Sequence, residues 1–466
     1  MDSNKATAPS AAPGKGDHLC VLVHGFWGNP SHLEYLHDSL RAQHDQSVLQ
    51  LLVCERNSGR NTYDGIETGG ERVAKEIEDT IEHFARNGVT ITKISIVGYS
   101  LGGLISRYAI GLLYSKGYFQ KIKPVNFTTF ATPHLGVRTP LLGWHNHIWN
   151  VLGARTLSVS GRQLFMIDKF RGTSRPLLSV LADKDSVFYK GLAMFQNKIL
   201  YANIVNDKSC CWYTSAISRT DPFADLSEVS VNFLSGYEPI VVDPQNPVQP
   251  APPKDDIRLP MSHRIGQGGK RVAKFPVALV YAVIVPIGIL CFLLNSLLQT
   301  ALSFRRIRIH SNQEEWHDYT SLPLLAEEIQ EVADSVFEEI HHELEPDHLP
   351  PGSEEQSAGD LGNEGRLTDS MMGIDNKVVE PAVTAVAEEK PEKEGKRQME
   401  SPTLALHPLQ FRMIHNLDSL EFRKFPVWIH GDRHTHAAII VRKPNEKRWK
   451  EGRVVVKHWV NECFDV

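Results

Sequence analysis

Ser100 has the setting that most directly implies chemistry. It is the centre of Gly98-Tyr99-Ser100-Leu101-Gly102. A charge-free, β-branched run at 94–97 precedes it, and Leu104, Ile105, Tyr108, Ala109 and Leu112 follow at helical spacing. A buried strand, a sharp turn and a helix push a serine hydroxyl out of a sheet. The glycines two positions either side leave room for the strand and helix to meet. Such a hydroxyl is a nucleophile for acyl transfer, and the helix N-terminus directs partial positive charge to where an oxyanion forms. A serine that merely caps the helix is the plainer alternative.

A nucleophilic serine needs a base and an acid that orients it. Asp207 directly follows the strand pattern of residues 198–205, so it falls at the C-terminal edge of a sheet. Asp183, Asp185 and Asp221 are its rivals, and none directly follows a strand pattern. A histidine in the loop after the last strand, 422–429, completes the order serine, acid, histidine. His436 is the choice because it leads straight into the apolar residues 437–441; His434 and His430 are the alternatives. His134 precedes the acid in the chain and is read as site wall. The oxyanion donors are the backbone N–H groups of Leu101 and of Phe26, or else Trp27, in the His24-Gly25-Phe26-Trp27-Gly28 loop.

The elements that must position these residues alternate. Strand patterns at 19–23, 48–54, 94–97, 125–130 and 198–205 are separated by helical patterns, such as 70–86 with Val73, Ile77, Ile81 and Phe84 on one face. This predicts an α/β fold with a right-handed, mostly parallel sheet. The 466 residues also hold segments outside that pattern. Residues 1–17 read as a flexible tail, and 18–240 with 404–466 as the catalytic domain. Residues 138–181 suit a helical cap over the site, with core extension as the alternative. Residues 241–270 read as a Pro-rich linker, 313–345 as an acidic helical segment, and 346–402 as disordered. The net charge of −5 argues against nucleic-acid binding. The 6 cysteines have neither disulfide nor zinc spacing, so no metal or cofactor is expected.

Within 271–309 lies an almost wholly apolar run, 275–302, flanked by Lys270, Arg271 and Lys274 and by Arg305, Arg306 and Arg308. A single crossing of a bilayer would leave Ser100 and His436 on opposite sides, and the run is too short for two full helical spans. Basic flanks favour the cytoplasmic side, and Pro286 with Gly288 permits a kink. The expectation is a hairpin or in-plane anchor, held on the cytosolic face of a membrane or lipid droplet.

The sequence resembles a family of serine esterases and lipases of fungi and plants that includes yeast lipases acting in lipid metabolism. The resemblance rests on His24-Gly25-Phe26-Trp27-Gly28-Asn29, Asp64-Gly65-Ile66, Gly98-Tyr99-Ser100-Leu101-Gly102-Gly103 and Thr132-Pro133-His134-Leu135-Gly136. Asn206-Asp207, Thr214-Ser215-Ala216-Ile217 and Thr435-His436-Ala437-Ala438 also match. After Asn206-Asp207 the family usually continues toward Val-Pro, whereas Lys208-Ser209-Cys210-Cys211-Trp212 stands here. The resemblance implies an α/β-hydrolase fold and serine-dependent hydrolysis of glycerolipid or phospholipid acyl esters. Two other outcomes suit the same chain: acyl transfer to another lipid, or a catalytically silent membrane-bound scaffold.

Overall fold

A computed structural model describes residues 16–137, 157–171, 173–251, 275–313 and 406–466, with single positions at 316, 318, 319, 322, 324, 348, 349, 403 and 404. For 275–292, 348, 349 and 403 it describes the backbone alone.

The central sheet has six strands: β1 (His18–Val23), β2 (Leu49–Val53), β3 (Lys93–Tyr99), β4 (Lys123–Phe130), β5 (Asn197–Asn203) and β6 (Arg423–Val427). Their spatial order is β6-β5-β4-β3-β1-β2, and every pair is parallel. The first strand therefore lies one in from the edge; the chain builds outward to β2, then crosses back beside β1 and builds the other way. The reversal falls between β1 and β3, where open α/β sheets place their sites.

Alternation along each strand serves two cores. Leu19, Val21, Val23, Ile94 and Ile96 face one; Cys20, Leu22, Val97 and Tyr99 face the other. The first is covered by α2 (Gly65–Arg86), α3 (Leu101–Ser115) and α4 (Val187–Ala193). The second is covered by α1 (Glu34–Gln43) and, at the C-terminus, α6 (Gly452–His458). The β-branched run in α6 is helical because it packs: Val455 and Val456 are buried on the sheet. This is an α/β architecture, a wholly parallel central sheet between two helical layers.

Several peripheral expectations change. The linker expected from 241 begins later. Val241 and Val242 are fully buried, and Val229–Val231 pairs with Val248–Pro250, so the fold runs on to 251. Of the expected cap, 138–156 lies outside the described residues. Of its described residues, Leu164, Phe165, Met166 and Phe170 are buried in the main core. The start of the acidic segment also docks: Trp316, Tyr319 and Leu324 are buried against the same core. Apart from 348 and 349, the span 346–402 lies outside the described residues.

Of the hairpin or in-plane anchor expected at 275–302, the hairpin is replaced by one continuous helix, α5 (Phe275–Ser311), of 37 residues. Pro286 removes one backbone donor without ending it. Among the described residues, no helix is long and apolar enough to cross a membrane.

Candidate active site

Ser100 sits between β3 and α3 at φ 54°, ψ −129°, a backbone shape that L-residues avoid. The surroundings enforce it. Ser100 N–H donates to Phe130 O at 2.9 Å, and Thr132 Oγ1 donates to Ser100 O at 3.0 Å. A Cβ on Gly98 would lie 2.3 Å from Gly103 Cα, and one on Gly102 would lie 2.3 Å from Val23 O. Strand and helix touch at both positions, and only glycine fits.

His436 Nε2 lies 2.9 Å from Ser100 Oγ, and its Nδ1 lies 2.9 Å from Asp207 Oδ2. Asp207 Oδ2 also accepts from Asn203 Nδ2 at 2.9 Å, and its Oδ1 accepts the Ser209 and Cys210 N–H groups at 3.0 and 2.8 Å. With every donor around it aimed at a carboxylate, Nδ1 carries the proton and Nε2 is free to accept the serine hydroxyl. The Asp207 side chain is 2% exposed and that of His436 17%. The acid is enclosed while the base stays open to substrate.

The histidine loop is tied down from both sides. Tyr99 OH donates to His436 O at 2.9 Å, and its ring packs on the imidazole at 5.2 Å. Burial pushes the Tyr99 phenol pKa up, so it remains a donor. Thr435 Oγ1 donates to Val205 O at 3.1 Å, joining the histidine loop to the acid loop. Asp432 accepts His434 N–H at 2.8 Å and Trp449 Nε1–H at 2.6 Å. Of these, Tyr99 was visible in sequence only as the spacer of the glycine motif. Its partner is 337 residues away.

The rivals sit elsewhere. His434 precedes the short helix Thr435–Ala438, and His430 stacks on Trp428 at 4.6 Å. Asp183 pairs with Arg175 at 2.6 Å, and Asp221 accepts Phe223 N–H at 2.9 Å. His134 is not site wall. It is fully buried, bonds Thr129 Oγ1 at 3.0 Å, and is held well below the usual imidazole pKa by burial and then by Arg107.

The loop after β1 approaches the serine closely. A Cβ on Gly25 would lie 2.7 Å from Ser100 Cβ and 3.2 Å from Oγ. Trp27 N–H is taken by Thr62 Oγ1 at 3.1 Å, which leaves Phe26 beside Gly25 as the available amide. Leu101 N–H opens α3 on the other side. Phe26, Trp27 and Tyr63 form an aromatic group here, with Phe26 4.8 and 4.9 Å from the other two rings. Among the described residues no three His, Cys, Asp or Glu side chains gather as metal ligands would.

Residues 13–219 match the family described as "Putative serine esterase (DUF676)". The chain is 33% identical over 211 residues to a "Putative lipase" of Schizosaccharomyces pombe, covering 44% of this chain and 26% of the relative. It is 31% identical over 245 residues to the "Putative lipase ROG1" of Saccharomyces cerevisiae, covering 51% and 34%. The match thus spans about a third or less of these relatives' own length. Among solved structures, phospholipase PlaB of Legionella pneumophila matches at 15% identity and a TM-score of 0.26, covering 44% of this chain and 42% of that one. A lipase-esterase related protein of Clostridium acetobutylicum matches at 16% and 0.21, covering 29% and 49%. The matched residues 13–219 include Ser100, Asp207, Phe26 and Leu101; His436 lies beyond them.

Proposed function

We propose that the chain hydrolyses acyl ester bonds of glycerolipids through an acyl-enzyme on Ser100. The observation that carries this is the pair of 2.9 Å contacts linking Ser100 Oγ, His436 and Asp207 in line. As the Oγ attacks the ester carbonyl carbon, His436 Nε2 takes its proton. The N–H groups of Leu101 and Phe26 hold the oxyanion, and the dipole of α3 adds to them. The imidazolium then protonates the departing glycerol oxygen, leaving the acyl group on Ser100. Water attacks that ester, gives its proton to Nε2, and releases a fatty acid and free serine. Asp207 holds the imidazole with Nδ1–H inward and stabilises the imidazolium.

Two features support a lipid substrate. The aromatic group of Phe26, Trp27 and Tyr63 adjoins the oxyanion loop, and the relatives named above carry the name lipase. The test is labelling of the full chain with a fluorophosphonate. Wild type takes the label and Ser100→Ala does not. An unlabelled wild type, or label retained in Ser100→Ala, overturns the reading. Lipid analysis of the products then separates free fatty acid, the expected product, from transfer to a second lipid.

A further inference from the structure

Over its described side chains, helix α5 is inside out. A helix packed on a protein in water buries an apolar stripe and exposes polar groups. On α5 the buried positions are Ser296, Gln299, Ser303 and His310, spaced three, four and seven residues apart on one face. The exposed large apolar side chains are Leu294, Leu297, Leu298, Phe304 and Ile309, at 58, 68, 56, 52 and 50%, with Asn295, Arg305 and Arg308 exposed among them.

The buried face is fastened by charge. Asp64, fully enclosed, accepts Ser303 Oγ at 2.7 Å, Arg306 Nη2 at 2.7 Å and Arg72 Nη2 at 2.8 Å. Seven residues along α2, Glu71 lies 2.7 Å from His310 Nε2. Seven further, Glu78 accepts Tyr319 OH at 2.7 Å and Lys116 Nζ at 3.0 Å. A polar seam of this kind fixes position more than it adds stability, because each ion gives up its water. Nothing in water offsets the leucines it turns outward.

We propose that the outward face of α5 rests in a lipid surface, and that the seam holds that surface at the mouth of the catalytic site. The proposal rests on the lipid-esterase reading and deepens it: the substrate is taken from an assembled lipid layer. Sequence continuity argues for lipid, because residues 275–292, immediately before Leu294, contain no charged residue. Charge agrees. Arg305 and Arg308, both exposed, follow the last outward leucine by about two and about three turns, where phosphate headgroups would meet them.

Connectivity sets the orientation. Ala251 N–H bonds Glu228 O at 2.9 Å, and Ser303 is keyed to Asp64, so both ends of the intervening chain are held to the catalytic domain. Residues 252–274 carry Lys254, Asp255, Asp256, Arg258, Arg264, Lys270, Arg271 and Lys274, which do not return through hydrocarbon. The helix therefore lies along the layer instead of crossing it. The path to the chemistry is short. Ser303 Oγ donates to Tyr63 O at 3.2 Å, Tyr63 OH accepts Trp27 Nε1–H at 2.7 Å, and Trp27, 54% exposed, adjoins Phe26.

The first test needs no turnover. A full-length Ser100→Ala chain with Leu297→Cys is labelled with bimane, with the Ser100→Ala chain alone as the blank for native thiols. On adding phosphatidylcholine–phosphatidylserine vesicles, the emission shifts to the blue and acyl-chain-brominated lipid quenches it. No shift overturns the proposal. A shift that instead follows protein concentration without vesicles assigns the face to a second copy of the chain and also overturns it. The second test compares Leu297→Asp/Leu298→Asp with the native chain. Turnover of a vesicle-borne ester falls about tenfold or more, while turnover of a dissolved short-chain ester is unchanged. Loss of neither, or equal loss of both, overturns the proposal. Because the bimane arm uses an inactive serine variant, it reads the same whether or not the esterase reading holds.

Discussion

Gly25 sets how near the oxyanion loop can come to Ser100. A methyl group there would stand 2.7 Å from Ser100 Cβ and 3.0 Å from Tyr99 O, both fixed by the strained turn. The loop must retreat, and Phe26 N–H goes with it. Gly25→Ala should lower kcat on a dissolved ester about 100-fold, the usual cost of losing one oxyanion donor, with a smaller change in KM. Unchanged kcat would remove Phe26 from the proposed mechanism. Asp207→Asn acts on the base instead. An amide nitrogen would face both Asn203 Nδ2 and His436 Nδ1, donors already. If the amide oxygen turns to Asn203, its nitrogen meets Ser209 and Cys210 N–H. Those two backbone donors hold the oxygen on their own side, so the amide nitrogen faces His436 Nδ1, the imidazole is left in the wrong tautomer, and kcat should fall by roughly 10³–10⁴ with the circular dichroism spectrum intact. Ser100, Asp207 and His436 could be picked out in sequence because each follows a strand and stands in a recognisable turn. The residues that hold them, Asn203, Thr435 and Tyr99, could not. Their task is defined only by partners that folding brings close. The choice between Phe26 and Trp27 likewise waited on Thr62, 35 residues on.

At the scale of elements, the six parallel strands announced themselves through β-branched runs with helical patterns between them. The pairing of α2 with α5 did not. Asp64, Glu71 and Glu78 recur at intervals of seven, which in sequence looks like a solvated helix face. Their partners Arg306, His310 and Tyr319 lie about 240 residues further on. The apolar run was legible and its direction was not: the sequence shows which residues are greasy, not that the polar ones point inward. The seam has a measurable signature. Asp64→Asn leaves the Arg72 and Arg306 guanidiniums facing a neutral group in an enclosed site, and should cost about 3 kcal/mol in urea unfolding. Arg306→Gln should cost less, since that side chain is 24% exposed. The double variant should recover part of the loss, with a coupling energy of about 1–3 kcal/mol. Strictly additive losses would mean that the pair is not a unit.

At the scale of the whole molecule, the C-terminal segment closes the second core, and two buried histidines join it to the sheet. His18 on β1 bonds Ser95 Oγ at 2.7 Å and stacks on Phe464 at 6.1 Å. His458 on α6 bonds Tyr201 OH through Nδ1 at 2.7 Å and packs on Phe425 at 4.7 Å. Burial is the main reason that each is lowered to about 4; Lys93 adds to it at His18 and Arg423 at His458, while Asp17 and Glu462 oppose it. Both are neutral in the folded chain at a pH where the unfolded chain already takes up protons at about 6.5. The unfolded state then binds more protons, so stability rises with pH through this window and is lost as pH falls from about 6.5 toward 4. The size is about 2 kcal/mol per histidine at pH 5. Asp168 works in the other direction. Burial raises its carboxyl to about 6, so it binds a proton earlier in the folded state and restores about 1 kcal/mol at the same pH. His32, lowered to about 4 by burial and by Arg442, adds to the histidine side. Urea unfolding should therefore show a loss of about 3 kcal/mol or more between pH 7 and pH 5. His458→Asn should be less stable at pH 7 yet lose about 2 kcal/mol less across the same interval. A native chain equally stable at both values would mean that these imidazoles accept protons without leaving the core.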